Sequence, residues 1–131
     1  MGKRYLLDSN IVIDYIAGLY PQKVMQWLNQ LIDVEINVSI VSKIEVLSYD
    51  PDKEDNYSVL VDFFEASNIH ELTNDVVNKT IQIRQKQKIK LPDAVIASTA
   101  LVNRLVLISR NTKDFKNITD LEVLDPYTIK K

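Results

Sequence analysis

The stretch "LLDSNIVIDY", Leu6 to Tyr15, decides how the fold begins. Tyr5, Leu6 and Leu7 form an apolar run that stops at a carboxylate, Asp8, and the apolar pattern then resumes with another period. Ile11, Val12, Tyr15 and Ile16 recur at helical spacing, with Ser9 or Asn10 placed to cap the helix. A short buried strand therefore hands over to a helix at Asp8. In open parallel sheets the carboxyl edge of the strands is where ligands bind. Aspartate is also a favoured helix cap, so this decapeptide alone leaves both roles open for Asp8.

Outward from that handover, strand and helix signals alternate. "PQKVMQWLNQLI" starts with Pro21 at a plausible first helical position and gathers Val24, Trp27, Leu28, Leu31 and Ile32 on one broad face. "EINVSIV" predicts a second strand, "SKIEVLSY" a helix carrying Glu45, and the acidic "DPDKED" an exposed connection. "YSVLVDFFEAS" has helical spacing, "IHEL" is a short third strand, and "NDVVNKTIQIRQK" a helix with Val76, Val77, Ile81 and Ile83. "LPDAVIASTALV" is a helix opened by Pro92, "RLVLIS" a fourth strand, "NTKDF" a tight turn and "LEVLD" a fifth strand. Such alternation predicts an α/β fold, a parallel sheet covered on both faces. At 131 residues, 46% of them apolar and with few glycines and prolines, the chain suits a single domain over 1–131.

Composition excludes several chemistries. Without cysteine there is no disulfide framework, thiolate zinc site or Cys nucleophile, which is compatible with a reducing cytosol; the expected location is cytoplasmic. No run is long enough to span a bilayer, and a strand beginning almost at once leaves no room for a signal peptide, so no membrane association is expected. A net charge of −2 is not that of a strongly basic nucleic-acid binder, although acids at an active site can mask a local basic patch. The single histidine, His70, excludes a ribonuclease built on paired imidazoles and a His-ligated zinc hydrolase. A haloacid-dehalogenase-type phosphatase is disfavoured by Asn10, where it would want a second aspartate.

Four acids fall near one edge of the predicted sheet. Asp8 and Asp114 follow strands one and four, Glu45 lies in the early turns of the helix after strand two, and Asp93 is in the first turn of the helix feeding strand four. That helix carries Ala94, Ala97, Ser98 and Ala100, small enough to pack closely on the sheet. If the strand order brings these elements together, four carboxylates converge, and like charges a few Å apart cannot all stay ionised. A hard divalent cation resolves the conflict, and carboxylate oxygens are its preferred ligands. Acids around Mg²⁺ or Mn²⁺ suit in-line hydrolysis of a phosphodiester.

In their order and spacing, "LLDSNIVIDY", "SKIEVLS", "LPDAVIASTA" and "LISRNTKDF" resemble the four signature segments of the PIN-domain family, and at this length its VapC-type toxin branch of toxin–antitoxin systems. The resemblance covers essentially the whole chain. It implies a three-layer α/β/α sandwich with a central, mainly parallel five-stranded sheet, and a Mg²⁺- or Mn²⁺-dependent endoribonuclease. Asp8, Glu45, Asp93 and Asp114 would be its catalytic and metal-binding acids, Asp8 and Asp93 the most direct metal-site matches. Ser9, Asn10, Ser109 and Asn111 match positions that help orient those carboxylates. An RNA substrate, a cognate antitoxin protein and a homodimer are the implied partners. The rival readings are a housekeeping PIN nuclease in RNA processing and a non-catalytic PIN-fold RNA-binding module. The complete quartet argues against the second.

The remaining candidates carry less. Asp14 lies nearly two helical turns beyond Asp8 and is expected on a polar face or behind the ligands. Asp75, Asp120 and Asp125 are expected at a helix start, in a loop and at a strand end. Trp27, Leu28 and Leu31 fit a core, or an apolar groove for an antitoxin tail. "IRQKQKIK", Ile83 to Lys90, places Arg84, Lys86, Lys88 and Lys90 in a stretch free of acids that leads to Asp93. It suits a solvated helix end, where cations are favoured by the macrodipole. It equally suits a rim along which RNA approaches the metals.

Overall fold

The computed structural model describes residues 2–129. Strand β1 (Tyr5–Leu7) leads to α1 (Ser9–Ile16) and α2 (Gln22–Val34); β2 (Asn37–Ser39) leads to α3 (Ile40–Leu47) and α4 (Tyr57–Glu65). Then come β3 (Asn68–His70), α5 (Asn74–Lys86), α6 (Leu91–Val102), β4 (Val106–Ile108), a 3₁₀ turn (Thr112–Phe115), β5 (Val123–Leu124) and a closing 3₁₀ turn (Pro126–Thr128).

Every strand pair is parallel. β4 runs between β1 and β5, with Leu6 opposite Leu107 and Leu7 opposite Ile108. β2 pairs with β3, Val38 opposite Ile69. The five expected strands are all present in a parallel α/β fold, with one refinement: their ladders divide into a three-stranded sheet, β1–β4–β5, and a two-stranded one, β2–β3. β1 and β2 lie side by side, and the reason for the missing ladder is Asn37. Its Nδ2 donates to the Tyr5 carbonyl at 3.1 Å, taking an acceptor that a neighbouring strand's N–H would use. The same carboxamide donates to Glu35 at 3.0 Å and accepts from Asn68 and from His70 Nε2, so a fully buried amide is satisfied on every side. Immediately after, the Ser39 hydroxyl accepts from Val41 N and starts α3, which cuts the predicted strand "EINVSIV" to Asn37–Ser39.

The alternation of side chains divides the core. Leu7 and Ile108 face one side with Ile11, Val12, Leu28, Leu60 and Phe64 from α1, α2 and α4. Leu6 and Leu107 face the other, with Ile83 from α5 and Ile96, Ala97 and Ala100 from α6. The sandwich therefore has two apolar layers around the strands. Truncating Leu107, fully buried, to Ala would cost about 2–5 kcal/mol through the cavity left behind. Helix α6 is buried along Ala94–Ala100, as its small residues predict. Trp27 is half-buried and packs edge-on against Tyr5 at 6.0 Å, on the margin of the first core. No helix among the described residues is long and apolar enough to cross a membrane.

Candidate active site

The handover at Asp8 is the keystone of the site. Asp8 N donates to the Ile108 carbonyl at 3.0 Å, extending the β1–β4 ladder by one bond. Its side chain then caps α1: Oδ1 accepts from Ser9 N at 2.8 Å, so the cap is Asp8 itself and not Ser9 or Asn10 as the spacing suggests. The carboxylate is only 5% exposed, and its Oδ2 accepts from Ser109 Oγ at 2.7 Å and from Asn10 Nδ2 at 3.4 Å. Burial holds the Asp8 carboxyl above the usual carboxylate range, against the pull of the Ser109, Ser9 and Asn10 hydrogen bonds. Both roles left open for Asp8, cap and functional acid, are compatible because each uses a different oxygen.

Ser9 connects this acid to the next. Its hydroxyl donates to Glu45 Oε1 at 2.6 Å and lies 3.0 Å from the buried Ser42 Oγ. Glu45 is exposed on α3, which the Ser39 cap sets at the carboxyl end of β2. Asp93 stands in the first turn of α6, partly buried, and its carboxyl is pushed up to about 6. Burial is the main cause, followed by the negative charges of Asp114, Asp8 and Glu45, with Lys90 opposing. Asp93 thus feels all three of the other acids.

Two clefts meet at Asp93. One, of 360 Å³, is lined by Asp8, Ser9, Asn10, Glu45, Asp93 and Asn111, with Ile13, Val46 and Tyr49 as its apolar part. The other, of 760 Å³, has Asp93 and Asp114 together with Arg84, Lys88, Lys90, Lys113 and Lys116. Asp114 sits in the 3₁₀ turn after β4 and so reaches Asp93 from the basic side. Three of the expected acids share the first cleft and the fourth borders it through Asp93. Their hard oxygens suit Mg²⁺ or Mn²⁺ in kind, yet among the described residues no three acids are drawn close enough to close around one ion.

The orienting residues divide. Ser9, Asn10 and Ser109 hold carboxylates through their side chains. Asn111 acts through its backbone, donating from N to Ser109 Oγ at 3.0 Å. Among the basic residues, Arg84, Lys88 and Lys90 line the larger cleft, whereas Lys86 faces a separate hollow beside Lys79 and Thr119. Sequence reasoning misses Lys113 and Lys116, although they flank Asp114 in "KDFK". It misses Tyr49 as well, which lies just beyond the end of α3 and lines the cleft with Glu45. Asp14 lies off the site in an ion pair with Arg110, 2.7 Å, whose guanidinium stacks over Tyr127.

Comparison with known proteins bears on this geometry. A family model described as the PIN domain matches residues 5–121. A search of curated proteins finds no match. Among solved structures, a chain of a toxin–antitoxin complex from Klebsiella pneumoniae is 31% identical with a TM-score of 0.74, over 95% of this chain and 99% of that one. VapBC-1 from nontypeable Haemophilus influenzae is 26% identical, TM-score 0.73, over 94% and 98%. DNA-bound VapBC from Salmonella typhimurium, at 20% identity and TM-score 0.79 over 95% and 99%, shares the fold.

Proposed function

The chain belongs to the PIN-domain family, and from that premise we propose that it is a metal-dependent endoribonuclease acting as the toxin of a toxin–antitoxin pair. The observation that carries the nuclease reading is Asp93, whose carboxyl is raised by burial and by Asp114, Asp8 and Glu45 at the meeting of an acidic and a basic cleft. Asp8 and Asp93 would hold the cation, with Glu45 and Asp114 completing the negative field. A Mg²⁺ or Mn²⁺ ion supplies the charge that lets these acids stay ionised together, and Lewis acidity toward a phosphate oxygen. The chain's own groups do the rest. Ser109 and Ser9 fix the two oxygens of Asp8 and keep it from rotating away. Glu45, exposed and steadied by Ser9, is placed to take a proton from the water that attacks the phosphodiester. Arg84, Lys88, Lys90, Lys113 and Lys116 hold the phosphates of the approaching strand.

The toxin reading rests on similarity to chains from toxin–antitoxin complexes, one of them at 31% identity over nearly the full length of both chains. An antitoxin is accordingly the expected protein partner, and a homodimer the expected assembly. Expression of this chain alone should arrest growth, co-expression of a neighbouring antitoxin should reverse the arrest, and Asp8→Asn should be harmless. Wild-type protein that cleaves RNA in the test tube yet is harmless at high levels without a partner would replace the toxin with a housekeeping nuclease.

A further inference from the structure

Asp14 and Arg110 line neither cleft at Asp93, yet their ion pair is joined to the frame of Asp8. Arg110 directly follows Ser109, whose N donates to the Leu124 carbonyl at 3.0 Å and whose hydroxyl donates to Asp8 Oδ2. Arg110 itself is tied to α1. Its main-chain N donates to Asn10 Oδ1 at 3.4 Å, and its Nη1 donates to Asp14 Oδ2 at 2.7 Å. Asn10 and Asp14 are one turn apart on α1, so a single residue grips the helix at two points. Asn10 in turn donates to Asp8 Oδ2, also at 3.4 Å. Both 3.4 Å bonds are near the limit for such contacts, and about 0.2 Å of extra separation would break them. The short ion pair keeps α1 and the loop at that spacing. It is sheltered, because the Asp14 side chain is 14% exposed and the Arg110 guanidinium lies over the Tyr127 ring, 5.2 Å from its centroid. Tyr127 rests against the buried Tyr20, ring centroids 5.3 Å apart, and the Asp125 side chain caps its turn.

We propose that Arg110 is a positioning residue for the Asp8 carboxylate, locked in place by Asp14 and by the Tyr127 ring. This rests on the nuclease reading, in which Asp8 holds the cation, and it names what aims that acid. Groups that orient a metal-binding side chain typically contribute about ten- to a hundredfold in metal affinity. Arg110 acts one step further out, through Ser109 and Asn10, so the lower end of that range applies. The sign of its effect separates positioning from charge. Arg110 is a cation, so by Coulomb's law alone its removal should favour a second cation nearby. A loss of metal affinity on its removal needs the other cause, an Asp8 Oδ2 that is no longer held.

The test is Mn²⁺ titration calorimetry on the full chain without RNA, beside RNA cleavage kinetics. It compares the wild type with Arg110→Gln, Asp14→Asn, the double variant, Tyr127→Ala and Tyr127→Phe. Arg110→Gln should weaken Mn²⁺ binding about tenfold and lower kcat at fixed Mn²⁺ by a similar factor, with KM for RNA unchanged. Excess Mn²⁺ should return most of the rate. The double variant should match Arg110→Gln, since the two side chains act as one unit. Tyr127→Ala should fall between the wild type and Arg110→Gln, and Tyr127→Phe, which keeps the ring, should restore the affinity. Unchanged or tighter Mn²⁺ binding by folded Arg110→Gln overturns this inference alone. A raised KM with kcat kept would make Arg110 a contact to RNA and overturns it too. If Arg110→Gln does not fold, unaltered Mn²⁺ affinity in Tyr127→Ala overturns the inference in its place. Mn²⁺ binding weakened as expected, in a chain that cleaves no RNA, supports the positioning role and overturns the nuclease reading. No Mn²⁺ binding by the wild type overturns both.

Discussion

The two clefts that meet at Asp93 are built from different kinds of sequence. Each wall of the acidic cleft is set by a strand ending in a helix: β1 delivers Asp8 into α1, and β2 delivers α3 and Glu45 through the Ser39 cap. Two of its carboxylates, Asp8 and Glu45, are held by hydrogen bonds from Ser109, Ser9 and Asn10. The basic cleft is made from the end of α5, the segment before α6 and the 3₁₀ turn after β4, and its lysines are exposed. The lesson is that charge which must be aimed is placed on rigid ends of elements and locked, whereas charge that only has to attract is left mobile on long side chains.

That contrast can be broken most severely at the shared residue. Asp93→Asn removes a charge and almost no volume, and should lower single-turnover cleavage about a thousandfold, roughly 4 kcal/mol in the barrier. RNA affinity should hold or rise, since a negative charge leaves the strand's path. Undiminished cleavage, or cleavage in excess chelator, would defeat the mechanism. On the basic side, changing Lys88, Lys90 and Lys113 together to Gln should weaken RNA binding about ten- to a hundredfold. The salt slope should fall by about 0.7 for every phosphate left without its cation, with metal affinity spared. Lys86→Gln provides the internal contrast, for its side chain faces the other hollow; an equal loss there would erase the boundary drawn for the cleft.

A smaller effect sharpens the acidic side. Ser109→Ala leaves the buried Asp8 carboxylate short of its 2.7 Å hydrogen bond and should cost about 1–3 kcal/mol, measured by denaturation. The same change should weaken Mn²⁺ binding in titration calorimetry. The smallest effect comes from pH. Folding raises the Asp93 carboxyl from the ordinary 3.8 to about 6, so the folded state binds this proton more tightly than the unfolded one. Metal-free protein therefore gains stability from protonating Asp93, and loses that gain as pH rises through about 6. Asp93→Asn should stabilise the metal-free chain by about 1–2 kcal/mol near neutral pH, after allowing for solvent screening, and by almost nothing near pH 4. Denaturation with chelator at both pH values checks the sign: a variant less stable than wild type near neutrality would contradict it.

The sequence makes some of this readable and hides the rest for physical reasons. The acids are legible because each interrupts or follows an apolar period, as Asp8 does after Leu7, and because their order matches four family segments. The split sheet is not, since it depends on one buried amide, Asn37, whose partners Tyr5, Asn68 and His70 are distant in sequence. Lys113 and Lys116 are hidden by attention to charge density: "IRQKQKIK" is denser, yet it divides its cations between two separate hollows, while "KDFK" aims both of its lysines into one cleft. Helical spacing rightly keeps Asp14 apart from the acids, although Arg110 as its partner lies 96 positions away and cannot be read locally.

Asp8 and Ser109 are 101 residues apart, and among the described residues the one strand ladder of β1 is with β4. Contacts of such long range form late, because the closure entropy of the intervening loop must be met before they stabilise anything. During synthesis the first half of the chain can gather α1, α2 and α4 around Leu28 and Phe64, but Asp8 waits without its Ser109 partner until β4 has emerged. Nascent and prematurely terminated chains would thus carry the first acid without the frame that aims it. On the proposed nuclease reading, the frame around Asp8 would be complete only when nearly the whole chain has been made.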